Sequence, residues 1–157
     1  MSEIRRAEVK DTERIEHLLY QVQDVHATGR PDYFKKGGKK YTREELLEII
    51  ADDMRPIYVF LDDENLLQGY AFCVCQITKE NSSLRPRKTL YIDDLCVDEE
   101  ARGKHVGTAL FDFVEKTAKE EGYDSITLNV WECNPSARAF YDRKGMSILK
   151  TTMEKIL

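Results

Sequence analysis

Apolar positions recur along this chain with two periods, and each change of period marks an element. From Val106, the positions Ala109, Leu110, Phe113, Val114, Thr117 and Ala118 follow i, i+3, i+4, i+7 spacing. That pattern predicts an amphipathic helix, which Gly122 ends. Ile15, Leu18, Leu19 and Val22 fall on one helical face behind Asp11 as a candidate N-cap. Thr42 and Glu45 have capping-box spacing ahead of Leu46, Leu47, Ile49 and Ile50, so a further helix runs to about Asp53. Asn134 as cap, Pro135 in the first turn and Gly145 as stop bound a short fourth helix. Strands are predicted at Ile4–Ala7, Ile57–Leu61, Leu67–Ile77, Thr89–Val97, Ser125–Val130 and Met146–Met153, with Asp62-Asp63-Glu64-Asn65 turning a hairpin. The stretch from Ala27 to Lys40 holds Gly29, Pro31, Gly37, Gly38 and four lysines and reads as an exposed loop, as does Asn81–Lys88.

The order is therefore β-α-α-β-β-β-α-β-α-β. Three successive strands exclude a purely doubly wound fold, and the unit from 89 to 130 predicts a right-handed parallel crossover. The reading is one α/β domain of the α+β type over 1–157, a mixed sheet with helices on both faces. No internal repeat or dividing linker interrupts it.

Composition narrows the chemistry. The 157 residues are 41% hydrophobic and 34% charged, with a net charge of −5. This is a globular composition, and an acidic total argues against general nucleic-acid binding. No apolar run approaches the roughly 18 residues of a membrane span. Met1-Ser2-Glu3-Ile4-Arg5-Arg6 has no apolar stretch behind it, which predicts no secretory leader. The four cysteines, Cys73, Cys75, Cys96 and Cys133, form no C-x-x-C pair. Reduced thiols in the cytoplasm are the expectation. His17, His26 and His105 are scattered, so no metal site is expected.

The turn Arg102-Gly103-Lys104-His105-Val106-Gly107-Thr108 joins a strand to the most periodic helix. Its glycines allow close backbone approach, and the first turn of the helix leaves N–H groups unpaired at the positive end of its dipole. Such a turn suits a phosphate or pyrophosphate, or serves only to reverse the chain. Gly107 is followed by Thr108 and Ala109, so the turn is not a P-loop, and the dinucleotide fingerprint G-x-G-x-x-G is absent.

A second motif lies downstream, with Asn134, Ala137, Phe140, Tyr141 and Gly145 spaced as Asn, two residues, Ala, then Phe-Tyr and a closing Gly. The two motifs together resemble the GNAT superfamily of acetyl-CoA-dependent N-acetyltransferases, and the element order matches over nearly the whole chain. In one place the chain departs from the pattern: His105 stands where the family carries its first internal glycine. A backbone of ordinary helical conformation at His105 is the expectation that keeps the turn intact.

The resemblance implies that acetyl-CoA is the cofactor and that its pyrophosphate sits on the N–H groups of Arg102, Gly103, Lys104, His105, Val106, Gly107 and Thr108. It implies that pantetheine lies along Leu95, Cys96 and Val97, where this strand and the one at 125–130 splay apart. Asn134 would bond to the pantetheine or the adjacent turn. Arg138 and Lys144 would reach the adenosine phosphates, or remain solvated helix charges.

Acetyl transfer to an amine needs a neutral amine, a polarised carbonyl and a proton for the leaving thiolate. An alkyl amine with a pKa of about 10.4 must first lose a proton, and a carboxylate can take it. Tyr141 occupies the position where the family often places the acid. Asp93 and Asp94 are adjacent carboxylates inside an apolar strand, and neighbours on a strand face opposite sides unless a bulge turns the chain. The resemblance makes Asp93 the candidate base and Asp94 a substrate-binding or structural residue, with Glu132 the second base candidate. Tyr33 and Phe34 lie where acceptor-binding variation falls; they wall the acceptor pocket or anchor their loop. The lysines at 35, 36, 39 and 40 read as a solvated loop.

The segment Tyr91–Glu100 carries only acidic charges, whereas Ala101–Gly107 and Asn134–Gly145 are net basic. That division suits an anionic cofactor beside a cationic amine acceptor. The expected function is acetyl transfer to a primary amine, either a small amine or a protein N-terminus. The alternative is a CoA-binding regulatory or interaction module without turnover, against which Asn134 and Tyr141 speak. The resemblance also admits a homodimer; neither nucleic acid nor membrane is an expected partner.

Overall fold

In the computed structural model, which describes Met1–Leu157, the strands are β1 (Glu3–Arg6), β2 (Ile57–Leu61), β3 (Leu67–Thr78), β4 (Arg87–Val97) and β5 (Ser125–Leu128). The helices are α1 (Thr12–Gly29), α2 (Arg43–Ile50), α3 (Val106–Glu120) and α4 (Pro135–Arg143). The strands form one five-stranded sheet in the order β1-β2-β3-β4-β5. Neighbours are antiparallel except β4 and β5, which run parallel with α3 as their crossover.

Alternation along the central strands builds a core on each face. Ile57, Val59 and Leu61 of β2, with Tyr70 and Phe72 of β3, pack against Ile15, Leu18 and Leu19 of α1 and Leu46 and Ile49 of α2. The intervening residues Tyr58, Ala71 and Cys73 pack against Val106, Leu110 and Val114 of α3. Period-two alternation thus buries both faces of the sheet, and the helices supply the covering stripes. The capping box forms as expected: Thr42 Oγ1 accepts from Glu45 N–H at 3.2 Å, and Glu45 Oε1 accepts from Thr42 N–H at 3.3 Å.

β4 changes phase partway along. Leu90 and Ile92 lie in the α3 core, whereas Cys96, an even number of residues further on, lies in the α1–α2 core. The cause is a register shift: Phe72 stands opposite Asp94, but Cys73 stands opposite Ile92, so Asp93 has no partner on β3. Asp93 is the extra residue of a β-bulge. β5 pairs only with Thr89–Ile92, and beyond Ile92 and Leu128 the two parallel strands separate.

Some expected boundaries move. α1 continues to Gly29 rather than yielding to loop at Ala27, because Ala27 is buried and Gly29 lies against the chain after β5. A Cβ at Gly29 would stand 2.6 Å from Cys133 Sγ. α2 stops at Ile50, where Asp52 turns the chain by accepting from Met54 N–H at 2.9 Å and pairing with Arg55 at 2.7 Å. β5 ends at Leu128, not Val130, because its partner diverges there.

The strand expected at Met146–Met153 does not form. Its residues favour an extended chain, but a strand is stabilised by its neighbour, and none pairs with it. Ile148 and Leu149 remain 66% and 78% exposed. The tail is held instead through Glu154, which pairs with Arg30 at 2.9 Å and accepts from the Tyr33 hydroxyl. No helix is long and apolar enough to cross a membrane.

Candidate active site

The opening between β4 and β5 has an unpaired wall. Asp98 N–H donates to Gln68 O at 2.8 Å, so Asp98, Cys96 and Asp94 direct their backbone groups toward β3. By antiparallel alternation, Leu95 and Val97 direct theirs the other way, toward the side that β5 has left. Below this edge, the backbone N–H groups of Gly103 through Thr108 donate to no backbone acceptor; the first bond of the following helix runs from Ala109 N–H to His105 O at 3.0 Å. These donors converge on the N-terminus of α3, whose dipole adds positive potential. Arg102 and Lys104 stand exposed beside them.

His105 is not helical. Its φ of 63° is left-handed, as is the 78° of Gly103. The expectation of an ordinary helical backbone is therefore corrected: the turn demands a glycine-type conformation here, and His105 adopts it at a steric cost. Gly107 packs close to Val97 and Phe140, at 3.5 Å and 3.7 Å from the place a Cβ would occupy, so the turn, the end of β4 and α4 meet there.

The bulge decides the carboxylates. Because Asp93 is the extra residue, it and Asp94 reach the same α1–α2 face instead of opposite ones. Asp94 Oδ2 accepts from the Tyr70 hydroxyl at 2.7 Å. Burial pushes the Asp94 carboxyl up to about 6, although the Tyr70 hydroxyl and the nearby Lys40 pull it down. Asp93 accepts from the Tyr41 hydroxyl and pairs with Lys40 Nζ at 2.9 Å. Tyr41 is fixed by stacking on Phe72, with centroids 5.5 Å apart and planes 7° off parallel.

Tyr141, on α4, is partly buried against the α3 core, with its ring beside Phe140 and Phe111. Burial first, then the negative charge of Asp94, pushes its phenol well above the ordinary range. It is therefore held protonated, on the side of Asp94. Asn134 caps α4, its side-chain oxygen accepting from Ala137 N–H at 3.3 Å. Glu132 is exposed and, with Val130, Trp131, Pro135 and Arg138, lines a small cleft at the start of α4. Arg138 bonds to Asp142 at 3.1 Å, and Lys144 pairs with Asp112 of α3. Tyr33 and Phe34 make edge contacts with Trp131, at 5.4 Å and 4.9 Å between centroids, so their loop abuts the chain leaving β5.

The structure thus sets Asp93 and Asp94 side by side on β4 with Tyr141 within reach of the charge of Asp94, while Glu132 lines the cleft at the start of α4. Sequence reasoning missed Lys40, Tyr41 and Tyr70. The run at 35–40 is not the simple solvated loop expected, because Lys39 pairs with Glu16 and Lys40 with Asp93. Only Tyr70 left a trace in the pattern, through its phase on β3.

Comparison with known proteins bears on the family and the fold. The chain aligns over 99% of itself and of the other chain with a mutant of the BH1408 protein from Bacillus halodurans, at 32% identity and a TM-score of 0.95. The same architecture is found in glucosamine-6-phosphate N-acetyltransferase from Arabidopsis thaliana (22% identity, 99% and 98% covered, TM-score 0.71). It is found too in an aminoglycoside acetyltransferase from an uncultured soil metagenomic sample, solved with sisomicin (17% identity, 99% and 95% covered, TM-score 0.71). A search of curated proteins returned no match. The model of the acetyltransferase (GNAT) family matches residues 20–146, across both motifs and the strand opening between them, and the chain belongs to that family.

Proposed function

We propose that this protein transfers the acetyl group of acetyl-CoA directly to a primary amine. The observation that carries the reading is the convergence, at one strand opening, of unpaired N–H groups, an open β-edge, a carboxyl raised to about 6 and a protonated phenol. The donors of Gly103–Thr108, with Arg102 and Lys104, fit a pyrophosphate, and His105 contributes its backbone N–H to the same turn. The free edge of Leu95 and Val97 fits the amide groups of a pantetheine arm, which would add to β4 as a strand does, beside Cys96. Asn134 acts by fixing the start of α4. Arg138 lies at the outer cleft, beyond which an adenosine end would run, whereas Lys144 is committed to Asp112.

Bound acetyl-CoA supplies an activated acyl group. The residues supply two proton transfers. Asp94 is the proposed base, because burial raises its carboxyl to about 6, close to neutral working pH, whereas Asp93 is already engaged by Lys40 and Tyr41. It takes the proton that the acceptor ammonium must lose before its nitrogen can attack the thioester carbonyl. As the carbon–sulfur bond breaks, Tyr141 donates its phenolic proton to the departing sulfur, and the second proton of the acceptor nitrogen, released as the amide forms, returns through solvent to the phenolate. Asp93 and Glu132 are left to attract the cationic acceptor, and Tyr33 and Phe34 to wall its approach.

The test is release of CoA from acetyl-CoA across a panel of small amines and N-terminal peptides. Release only with an acceptor present is expected, and Tyr141→Phe should lower kcat by about a hundredfold with acetyl-CoA affinity unchanged. Undiminished turnover in that variant would remove Tyr141 as the acid. Binding of acetyl-CoA without release across the whole panel would leave a CoA-binding module.

A further inference from the structure

The α1–α2 face of the opening is not an empty acidic patch. Lys40 is a tethered alkylammonium that reaches across from the loop before α2 to Asp93, its Nζ 2.9 Å from Oδ1 and 3.4 Å from the backbone oxygen of the same residue. The Lys40 side chain is 43% exposed, whereas that of Asp93 is 16% exposed, so the cation comes from solvent and the anion is built into the sheet. Tyr41 completes the pocket: its hydroxyl donates to Asp93, and its ring lies 5.6 Å from the same Nζ. The charge of Lys40 is also felt at Asp94, Tyr91 and His26, which places it across the mouth of the opening.

The residues on either side of Lys40 are anchored independently of it. Tyr41 stacks on Phe72, and Lys39 pairs with Glu16, which also holds Arg43 at 2.5 Å. Rotating the Lys40 side chain out therefore needs no movement of the loop backbone. We infer that Asp93 and Tyr41 form an alkylammonium-binding subsite for the acceptor, and that Lys40 fills this subsite until a cationic acceptor displaces it.

This inference rests on the reading of the opening as an amine-acceptor site, and it adds a class: acceptors with a positive charge beyond the reacting nitrogen. In the resting chain, Lys40 balances the unpaired charge of the bulge and screens it from solvent cations. An acceptor that brings its own ammonium restores the same ion pair and aromatic contact, so what it must overcome is only the exposed half of a salt bridge, which is weak. A neutral amine leaves Lys40 in place.

The experiment is calorimetric titration of the full-length protein with spermidine, without acetyl-CoA, so that binding is read apart from turnover. Lys40→Met should bind spermidine two- to fivefold more tightly than wild type, and Asp93→Asn at least tenfold more weakly. Lys36→Met removes the same charge from an exposed position on the same loop and should leave the affinity within twofold, which separates displacement from net charge. Equal or weaker binding by Lys40→Met, an equal gain in Lys36→Met, or unchanged binding by Asp93→Asn would overturn the subsite. If the subsite is upheld but no amine is acetylated in the CoA-release panel, the transferase reading fails and the cation subsite stands. If amines are acetylated and Lys40→Met gains nothing, the reverse holds.

Discussion

The first 118 residues and the last 39 are built on different terms. Every fully buried residue lies between Ala7 and Ala118, and from Lys119 to Leu157 there is none. The first region has two cores on a three-strand antiparallel centre; the second has a short edge strand, α4 and an unpaired tail. The candidate site lies on their seam. Asp93 and Asp94 stand on the packed side, while Tyr141, Asn134 and Glu132 stand on the loose side. The proposed proton acceptor, which depends on burial, thus stands on the packed strand, and the proposed acid is carried by a helix that packs on the α3 core without a fully buried residue of its own.

The contrast can be broken most forcefully by cavity formation. Leu110 is wholly buried between α3 and the sheet, and Leu110→Ala should cost about 2–5 kcal/mol in denaturant unfolding. The matched change in the tail, Leu149→Ala, should stay within about 0.5 kcal/mol. A large loss at Leu149 would mean that the tail is packed in solution, and the division of the molecule would fall.

A smaller effect tests what burial does to the site itself. Asp94 has a folded pKa of about 6, above the 3.8 of an unperturbed aspartate. The folded chain therefore binds this proton more tightly than the unfolded one. The stabilisation from that proton is present in full below about pH 4 and is lost as the pH rises through about 6. Asp94→Asn removes the titration, so its stability relative to wild type should improve across this window, reaching about 3 kcal/mol by neutral pH, while kcat falls by at least a hundredfold. Thermal melts at a series of pH values check the first part. A stability difference that does not vary with pH would show that Asp94 is not strained by burial.

The smallest effect belongs to the turn. Replacing His105 with glycine relieves a left-handed non-glycine backbone and should gain about 0.5–1 kcal/mol without weakening acetyl-CoA binding. Weaker binding would mean that the imidazole itself touches the cofactor.

Much of this seam was legible before any coordinates. The periodicity of α3, the capping box at Thr42 and Glu45, and the Asn134-Pro135 start of α4 all form where local chemistry places them. The two motifs located the turn and Tyr141 because both depend on short spacing. What was not legible depends on contacts between distant residues. Ile92-Asp93-Asp94-Leu95 carries no sign of a bulge, since only pairing with Phe72 and Cys73 creates one. Met146–Met153 has the composition of a strand, but composition cannot supply a partner. Lys40 reads as one lysine among four, and its role appears only when a residue 53 positions away comes beside it.

The bulge at Asp93 bears on which mutations this strand tolerates. Deletion of that single codon would remove the bulge and restore regular pairing, with Ile92 still opposite Cys73 and Asp94 still opposite Phe72, so every residue downstream on β4 would keep its face. Asp94 and Cys96 would stay on the α1–α2 face and Leu95 and Val97 on the α3 face, so both cores would remain packed while the opening lost its second carboxylate. Length changes at this point of the strand should therefore follow the need for a second carboxylate in the opening rather than the stability of the sheet.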